Sequence, residues 1–235
     1  SRQELMEIRK DMQMIFQAPF SSINPRQRVS EIIGEPLVIH RACKNRKEYR
    51  KRVKVLMEMV GLAERLENAY PHELDGGRRQ RIGVARALAI NPKFIVCDEP
   101  VSALDVSIQA QILNLLQDLK KKLGLTYIFI THDLSVVRHI SDEIMVMYLG
   151  VVVEKSPAKE LFKENYHPYT KALLSAIPRP TLEKQTKRIL LRGELASPIE
   201  PPTMCRFAPR CNYAIEMCYK VVPVLEEVAP GKFVA

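Results

Sequence analysis

Two adjacent carboxylates, Asp98 and Glu99, end a short apolar run at residues 94–97 and precede a turn that contains Pro100. In nucleotide hydrolases, a buried strand delivers one acid to Mg²⁺ and a second acid handles the attacking water. Because side chains alternate along a strand, the two carboxylates cannot do the same work. The pattern predicts Asp98 as a Mg²⁺ ligand and Glu99 as a general base, and the alternative is a strand that ends in an acidic turn.

Three further segments contain residue types that suit the same chemistry. Gln17 follows an apolar run at residues 12–16, and His132 follows another at residues 127–130. A histidine at the carboxyl end of a strand can reach a phosphate and stabilise its transition state. Gly76 and Gly77 open a helical pattern, where a close backbone approach and the positive helix end favour phosphate. The alternatives are a loop amide that caps backbone for Gln17 and a structural role for His132.

These segments, in this order, resemble the ATP-binding-cassette (ABC) ATPases. The resemblance identifies a glutamine loop in residues 14–26, a signature motif in 73–88, a Walker B motif and D-loop in 94–105, and a switch histidine in 126–135. The strings FQAPFSSINPR and YPHEL narrow it to the oligopeptide and dipeptide importers. It covers nearly the whole chain, from about Asp11 into the C-terminal tail. It implies an α/β fold, with a RecA-like parallel sheet, a helical subdomain and a small cysteine-containing extension.

The family resemblance implies the function and the partners. It implies an ATP-binding subunit that couples ATP hydrolysis to peptide transport, with ATP and Mg²⁺ as cofactors. Glu99, His132 and Gln17 would be catalytic, and Asp105 would contact the opposite subunit. The implied partners are two transmembrane permease subunits, a second ATP-binding subunit and an extracytoplasmic solute-binding protein. A hydrolysis-deficient or regulatory ABC module, and an importer for nickel or another small solute, are the alternatives.

The signature motif departs from the family at two positions. Asp75 and Arg78 stand where the family usually has Ser and Gln. Asp is as good a helix N-cap as Ser, but it brings a negative charge close to phosphate. Because these ATPases pair head to tail, we expect the site built on Asp98, Glu99 and His132 to be competent. The site completed by Asp75, Gly76, Gly77 and Arg78 is expected to be weakened.

The Walker A loop, G-x-x-x-x-G-K-[ST], has no match in the sequence. The sequence also begins at Ser1 rather than at a methionine. We therefore expect it to be part of a longer protein, and we expect this part alone to be inactive towards ATP.

Composition limits the other classes of function. The chain has 235 residues, a net charge of +9 and 46% hydrophobic residues, and it contains no apolar run near the ~20 residues that span a bilayer. With the family resemblance, this predicts a peripheral protein on the cytoplasmic face of the cell membrane. The basic run at residues 44–54 fits a solvated helix face better than a nucleic-acid site, since aromatics are only 6% and Trp is absent. No nucleic-acid partner is expected.

Periodicity and turn residues predict the elements. Strands are predicted at 12–16, 94–97, 127–130, 143–148 and 151–154, and helices at 29–41, 47–60, 62–68, 77–90, 106–123, 134–140, 157–163 and 167–177. Ser30 and Ser156 are predicted N-caps, and Gly124 is a predicted helix end. The predicted domains are the end of the N-terminal catalytic lobe (1–28), the helical subdomain (29–75), the ATPase core (76–177) and the C-terminal extension (178–235).

Three cysteines, Cys205, Cys211 and Cys218, lie close together in the tail. In an intracellular chain such a cluster favours metal over disulfides. The family resemblance implies a [4Fe–4S] cluster on four cysteines, of which three are present. The alternative is a small hydrophobic knot of reduced cysteines. Cys97 is expected to be a small apolar core residue.

Overall fold

The structure is a computed structural model that describes residues 2–17, 22–177, 188–194, 199 and 201–235. The described chain divides into two compact units, residues 1–132 and residues 133–235. The predicted glutamine-loop residues 18–21 and the predicted boundary at Pro178 lie outside the described residues. The domain boundaries predicted at 28, 75 and 177 therefore stay predictions.

The first unit contains one parallel sheet and five helices in its described part. Its strands are β1 (Met12–Ile15), β2 (Phe94–Asp98) and β3 (Thr126–Ile130), and its helices are α1 (Arg2–Asp11), α2 (Val29–Ile39), α3 (Arg46–Met59), α4 (Gly76–Leu88) and α5 (Val106–Leu123). Single 3₁₀ turns lie at Glu64–Leu66 and Pro71–Glu73. The helix predicted over 62–68 is thus wrong in type and length, and α1 was not predicted.

The three strands pair in the order β1-β2-β3, all parallel. Alternation places Ile15, Ile95 and Cys97 on one face, where all three are buried. Burial raises the pKa of the Cys97 thiol to about 12, which fits its predicted role as an inert core residue. On the opposite face, Met14 is 36% exposed and Ile128 is 50% exposed. The described residues therefore leave part of this face of the sheet uncovered.

Side-chain caps fix where three helices begin. The side chains of Asn45, Asp75 and Asp105 accept hydrogen bonds from the third residue of α3, α4 and α5, respectively. Gly124 ends α5 with a left-handed φ of 65°, as predicted. Ser30 is not an N-cap, because α2 already begins at Val29 and its N-cap position is Arg28. Apart from the helix predicted over 62–68, the predicted helices of this unit therefore have the right type, most with inexact ends.

The second unit is built on an antiparallel sheet. Its elements are α6 (Leu134–Ile140), β4 (Glu143–Tyr148), β5 (Val151–Pro157), α7 (Ala158–Leu161), α8 (Pro168–Ser175), β6 (Glu226–Ala229) and β7 (Lys232–Val234), with 3₁₀ turns at Ala208–Arg210 and Glu216–Tyr219. The strand order is β4-β5-β7-β6. The β6–β7 hairpin in the tail was not predicted.

An aromatic cluster forms the core of this unit. Phe207 is 2% exposed and packs edge-on against Tyr148, with ring centroids 5.1 Å apart. Tyr169 and His167 also pack against Phe207, at 5.5 Å and 5.4 Å. One tail residue therefore joins a strand to the beginning of α8.

The prediction that Ser156 caps a helix is wrong. Ser156 pairs with Ile144 in the β4–β5 ladder, so β5 continues through Pro157. The helix that follows is the four-residue α7, without a side-chain cap. The neighbouring Glu154 is buried, and its two carboxylate oxygens accept hydrogen bonds from the backbone of Tyr166 (2.9 Å) and His167 (3.0 Å). These bonds satisfy a buried carboxylate and fix the beginning of α8.

None of the helices in the described part of the chain combines the length and the apolar character that crossing a bilayer requires.

Candidate active site

The candidate site lies where the three parallel strands of the first unit end. Gln17 follows β1, Glu99 follows β2, and His132 follows β3. Because β2 is the middle strand, the turn after it lies between the other two strand ends. The sheet topology therefore brings together residues that are far apart in sequence, as ligand sites at strand ends require.

The Glu99 carboxylate is held on both of its oxygens. Gln17 Nε2 donates to Glu99 Oε2 at 2.6 Å, and His132 Nδ1 lies 3.0 Å from Glu99 Oε1. The hydrogen bond with His132 is the main cause that holds the pKa of Glu99 below its usual range. The Glu99 side chain is 22% exposed and that of His132 is 73% exposed. The carboxylate is thus oriented, ionised and open to solvent on one side.

The backbone of Glu99 has a strained conformation, and hydrogen bonds hold both its N–H and its carbonyl. Its φ is +44°, a left-handed value that residues with a side chain seldom adopt. Its N–H donates to the carbonyl of Ile130 at 2.9 Å. Its carbonyl accepts from Ser102 twice, from the backbone N–H at 3.2 Å and from Oγ at 3.1 Å. Strain of this kind persists where surrounding bonds over-determine the conformation, and it directs the side chain away from the strand.

Asp98 has the donor chemistry of a magnesium ligand. It ends β2 opposite Ile130 of β3. Its carboxylate has no hydrogen-bonding or ionic partner within the described ranges. No group of three or more His, Cys, Asp or Glu side chains among the described residues could hold a metal by itself. Mg²⁺ is commonly bound through one or two carboxylates plus substrate phosphates, so the residues present fit that mode of binding.

The signature residues form the beginning of α4. Asp75 Oδ1 accepts from the backbone N–H of Arg78 at 2.8 Å, and Asp75 Oδ2 lies 3.2 Å from Arg78 Nη1. A Cβ on Gly76 would lie 3.0 Å from Leu104, and a Cβ on Gly77 would lie 2.6 Å from Ile108 Cγ2. The two glycines therefore allow α4 to pack against the segment that begins α5, where Asp105 is the N-cap.

No metal-holding group is found among the tail cysteines in the described part of the chain. Cys205, Cys211 and Cys218 are free thiols. Cys205 and Cys211 pack against the cluster around Phe207, and Cys211 Sγ accepts from the backbone N–H of Tyr213 at 3.3 Å. The prediction of an iron–sulfur cluster is therefore not supported, and the observed packing resembles the alternative, a small hydrophobic knot.

Sequence reasoning missed two residues of this region. Ser102 holds the Glu99 carbonyl, and Ile108 fills the space that Gly77 leaves. A serine three residues after an acid in a turn is a local signal for such a bond. The contact between Gly77 and Ile108 joins residues on two helices, and no short-range pattern indicates it.

The class of protein follows from comparison with known families. The ABC transporter family matches residues 1–102, and the oligopeptide/dipeptide transporter C-terminal region matches residues 153–218. Among solved structures, the dimeric post-hydrolysis state of the ATP-binding cassette MJ0796, bound to ADP and Pi, resembles this chain with a TM-score of 0.58 and 33% identity. The match covers 67% of this chain and 68% of that one. The fold is that of an ABC ATPase, as predicted.

Relatives define the branch of this class. The oligopeptide transport ATP-binding protein OppF of Salmonella typhimurium is 56% identical, over 95% of this chain and 67% of its own length. The dipeptide transport ATP-binding protein DppF of Haemophilus influenzae is 52% identical, over 97% of this chain and 69% of its own length. The chain belongs to the family of ATP-binding subunits of oligopeptide and dipeptide ABC transporters. The prediction of an ABC-type ATPase subunit for peptide transport is thereby confirmed at the level of its class.

Proposed function

We propose that Glu99 is the general base with which the intact protein hydrolyses ATP. The observation that carries this proposal is the Glu99 carboxylate held between Gln17 and His132, at 2.6 Å and 3.0 Å. A base must be ionised and oriented towards the proton it accepts. The lowered pKa of Glu99 keeps the carboxylate ionised, and its two partners fix its direction. Glu99 is then ready to take a proton from water.

The partners of Glu99 have separate roles in this proposal. Gln17 orients one carboxylate oxygen, so a change in the position of Gln17 changes the orientation of the base. His132 orients the other oxygen, and its side chain is exposed enough to contact a phosphate group as well. Removing either partner leaves the carboxylate chemically intact but held on only one of its oxygens. Both are therefore expected to affect the rate more than the affinity for nucleotide.

Asp98 is the proposed residue for holding Mg²⁺. Bound Mg²⁺ supplies positive charge that offsets the negative charge of phosphate oxygens. The Asp98 carboxylate has no partner within the described ranges, and it ends the strand immediately before the base. Asp98 and Glu99 would thus divide the work between metal binding and proton transfer, because Asp98 ends β2 and Glu99 lies in the turn after it with a left-handed φ.

The N-terminus of α4 is the proposed contact to the nucleotide of a second ATP-binding subunit. Asp75, Gly76, Gly77 and Arg78 present a capped helix end, and Asp105 lies beside it as the N-cap of α5. Pairing of two cassettes is supported by the dimeric form of the similar cassette MJ0796. The capping carboxylate of Asp75 adds negative charge at this helix end, which weakens phosphate binding there.

The biological role that we propose is peptide import. OppF and DppF are named for oligopeptide and dipeptide transport. By analogy, the intact protein would work on the cytoplasmic face of the cell membrane with two transmembrane permease subunits, a second ATP-binding subunit and an extracytoplasmic solute-binding protein. ATP hydrolysis would then power passage of a peptide through the permease subunits.

The test of the proposal is ATP turnover by the full-length protein with its partner subunits. Glu99→Gln keeps the size of the side chain but removes the base. We expect a loss of about 10²- to 10⁴-fold in kcat with ATP binding retained. Glu226→Gln, an exposed acid on β6, is the matched control and should behave as wild type. Wild-type turnover by Glu99→Gln would overturn the assignment of the base.

A further inference from the structure

The positive charge of this chain is concentrated in one short segment. Residues 41–54 contain eight Lys and Arg residues and one Glu, a net charge of +7 within a chain whose net charge is +9. Residues 46–54 of this segment lie in α3, in the first unit. The proposed hydrolytic function uses none of these residues.

Four of these cations form what we call the basic face: Arg46, Lys47, Arg50 and Lys51. All four are exposed. Residues four apart in a helix lie on the same side, so Arg46 stands next to Arg50 and Lys47 stands next to Lys51. Val53, Leu56 and Met57, in the second half of α3, are buried. The core of the first unit therefore holds the basic face in a fixed direction.

The basic face is not neutralised by the rest of the described chain. None of its four residues has an acidic partner among the described residues. The nearby carboxylate of Glu48 accepts a hydrogen bond from the backbone N–H of Lys44 at 2.7 Å, so it serves the helix end. The next two cations along the helix already have partners, since Arg52 donates to Asn91 Oδ1 and Lys54 pairs with Glu64.

This arrangement is unfavourable for the helix itself. Like charges four residues apart repel each other. Arg46 and Lys47 also lie in the first turn of α3, where the helix dipole disfavours cations. The arrangement therefore does not serve helix stability, and an anionic surface would relieve both kinds of repulsion.

Exposed aliphatic side chains precede the basic segment in the sequence. Val38 is 65% exposed and Ile39 is 59% exposed, at the end of α2 just before the segment. The aromatic ring of the segment, Tyr49, is part-buried, and its hydroxyl donates to the carbonyl of Ser30 at 3.1 Å. Single-stranded nucleic acids bind to basic grooves that also offer aromatic rings for stacking. Cations with exposed aliphatic residues and no available ring favour a lipid surface instead.

We propose that the basic face docks on the anionic headgroups of a membrane. Clusters of four or more Lys and Arg residues on one helix bind anionic lipids through charge, within about one Debye length of the surface. Because the chain belongs to a family of transporter subunits, we expect the intact protein to work next to a membrane. The proposal does not depend on the hydrolytic role of Glu99, and it adds a direct lipid contact to the contacts with permease subunits.

Co-sedimentation of the full-length protein with lipid vesicles tests this proposal. Vesicles of phosphatidylcholine are compared with vesicles that also contain phosphatidylglycerol, at low and at physiological salt. We expect binding only to the anionic vesicles, weakened by salt. The triple variant Lys47→Glu/Arg50→Glu/Lys51→Glu should bind on the order of 100-fold more weakly. The Gln variants at the same three positions are a milder set, for use if the Glu variant does not fold.

The matched control is Lys122→Glu/Lys159→Glu/Lys171→Glu. It changes the net charge equally, at exposed positions outside the segment. The proposal requires that this control bind anionic vesicles much more strongly than the basic-face variant. Equal losses in the two variants would show general attraction of a basic protein and overturn it. A duplex oligonucleotide that binds the basic face more tightly than the vesicles do would overturn it in favour of nucleic acid. ATP turnover of each variant, measured separately, distinguishes this outcome from failure of the proposed function.

Discussion

Gln17 and Glu99 are 82 residues apart in the sequence, and their side chains meet at 2.6 Å through Gln17 Nε2 and Glu99 Oε2. The contact exists because β1 and β2 are adjacent parallel strands that end at the same edge of the sheet. A loop that moves Gln17 must therefore also change the environment of Glu99. Since His132 holds the other oxygen, the Glu99 carboxylate keeps one partner when Gln17 leaves.

The link between His132 and Glu99 predicts a shift in the pH dependence of ATP turnover. The pKa of Glu99 is lowered in the folded protein, chiefly by its bond with His132. A group with a lowered pKa stays ionised to lower pH and loses its function only as pH falls through that value. Replacing His132 by Ala raises the pKa of Glu99, so the acid limb of kcat should move to higher pH. The rate profile against pH measures this.

A second histidine variant is the control for that measurement. His72 stacks on Tyr70 in the 3₁₀ turn before α4, whereas the histidine that contacts Glu99 is His132. His72→Ala should leave the acid limb of the profile unchanged. An unchanged limb in His132→Ala, with activity high enough to measure, would contradict the role of His132 in setting the pKa of Glu99.

The strained backbone of Glu99 predicts that Ser102 is a positioning residue. Ser102→Ala removes the bond from Oγ to the Glu99 carbonyl and leaves the bond from the backbone N–H. A hydrogen bond of this kind contributes about 0.5–1.5 kcal/mol, which corresponds to a loss of up to about tenfold in kcat. KM for ATP should change little, because Ser102 acts through Glu99. Ser102→Thr keeps the hydroxyl and should restore the rate.

Steady-state kinetics of the two Ser102 variants separate positioning from stability. A loss of thermal stability without a change in kcat would mean that Ser102 only supports the turn. A loss of kcat in the Ala variant that the Thr variant reverses would support the positioning role.

Substitution of glycine by alanine is expected to have different effects on stability at two glycines of α4. A Cβ on Gly77 would lie 2.6 Å from Ile108 Cγ2, whereas a Cβ on Gly83 would meet nothing within 4 Å. Gly77→Ala should therefore lower the free energy of unfolding by about 1–3 kcal/mol. Gly83→Ala should leave it unchanged or raise it by up to about 1 kcal/mol, because Ala favours helix over Gly. Denaturant unfolding measures both values.

The double variant Gly77→Ala/Ile108→Ala tests the cause of that loss. Removing Cγ2 of Ile108 relieves the clash, so the two substitutions should be less destabilising together than the sum of their separate effects. Strict additivity would show that the contact between these residues is not the reason that Gly77 is required.

Buried His167 predicts a pH dependence of stability in the second unit. Burial lowers the pKa of His167 to about 4, below its usual value of 6.5. The unfolded chain then binds more protons between these values, so stability falls as pH falls from about 6.5 towards about 4. The loss amounts to at most about 3 kcal/mol. Thermal unfolding across this range measures it.

His167→Asn is the matched variant for this prediction. The His167 Nδ1 atom accepts from the backbone N–H of Tyr169 at 3.2 Å, and the Asn side chain also caps helices well but does not titrate. The variant should keep α8 and lose this part of the pH dependence. An identical pH dependence in the variant would assign it to other groups.

Local sequence patterns predicted most of the helices and strands. The features that these patterns missed depend on long-range packing. Gly124 ends α5 because a left-handed residue stops a helix, which one residue type indicates. Ser156 looked like an N-cap, but pairing with Ile144 keeps it in a strand, and pairing is a tertiary property. The β6–β7 hairpin was missed for the same reason, since Glu154 and Lys155 of β5 pair with residues at the end of the tail.

The candidate site was predictable where the sheet topology alone determines it. Parallel strands place the residues that follow them at one edge, so the sequence order indicated Gln17, Glu99 and His132 together. The φ of Glu99 and its bonds with Ser102 depend on the path of the turn, which the sequence pattern does not determine. The three tail cysteines have spacing typical of a metal site. In the structure, Cys205 and Cys211 pack against the hydrophobic cluster that contains Phe207.

The last prediction concerns Asp75, the unusual residue of the signature motif. It depends on the proposal that the N-terminus of α4 faces a phosphate. Asp75 Oδ2 lies 3.2 Å from Arg78 Nη1, so Arg78 offsets part of the charge but does not remove it. Asp75→Ser keeps a capping side chain and removes the negative charge. ATP turnover of the assembled transporter should therefore rise. Arg78→Ala exposes the Asp75 charge and should lower turnover, whereas the double variant should resemble Asp75→Ser. No change or a loss in Asp75→Ser would mean that the carboxylate does not repel nucleotide at this helix end.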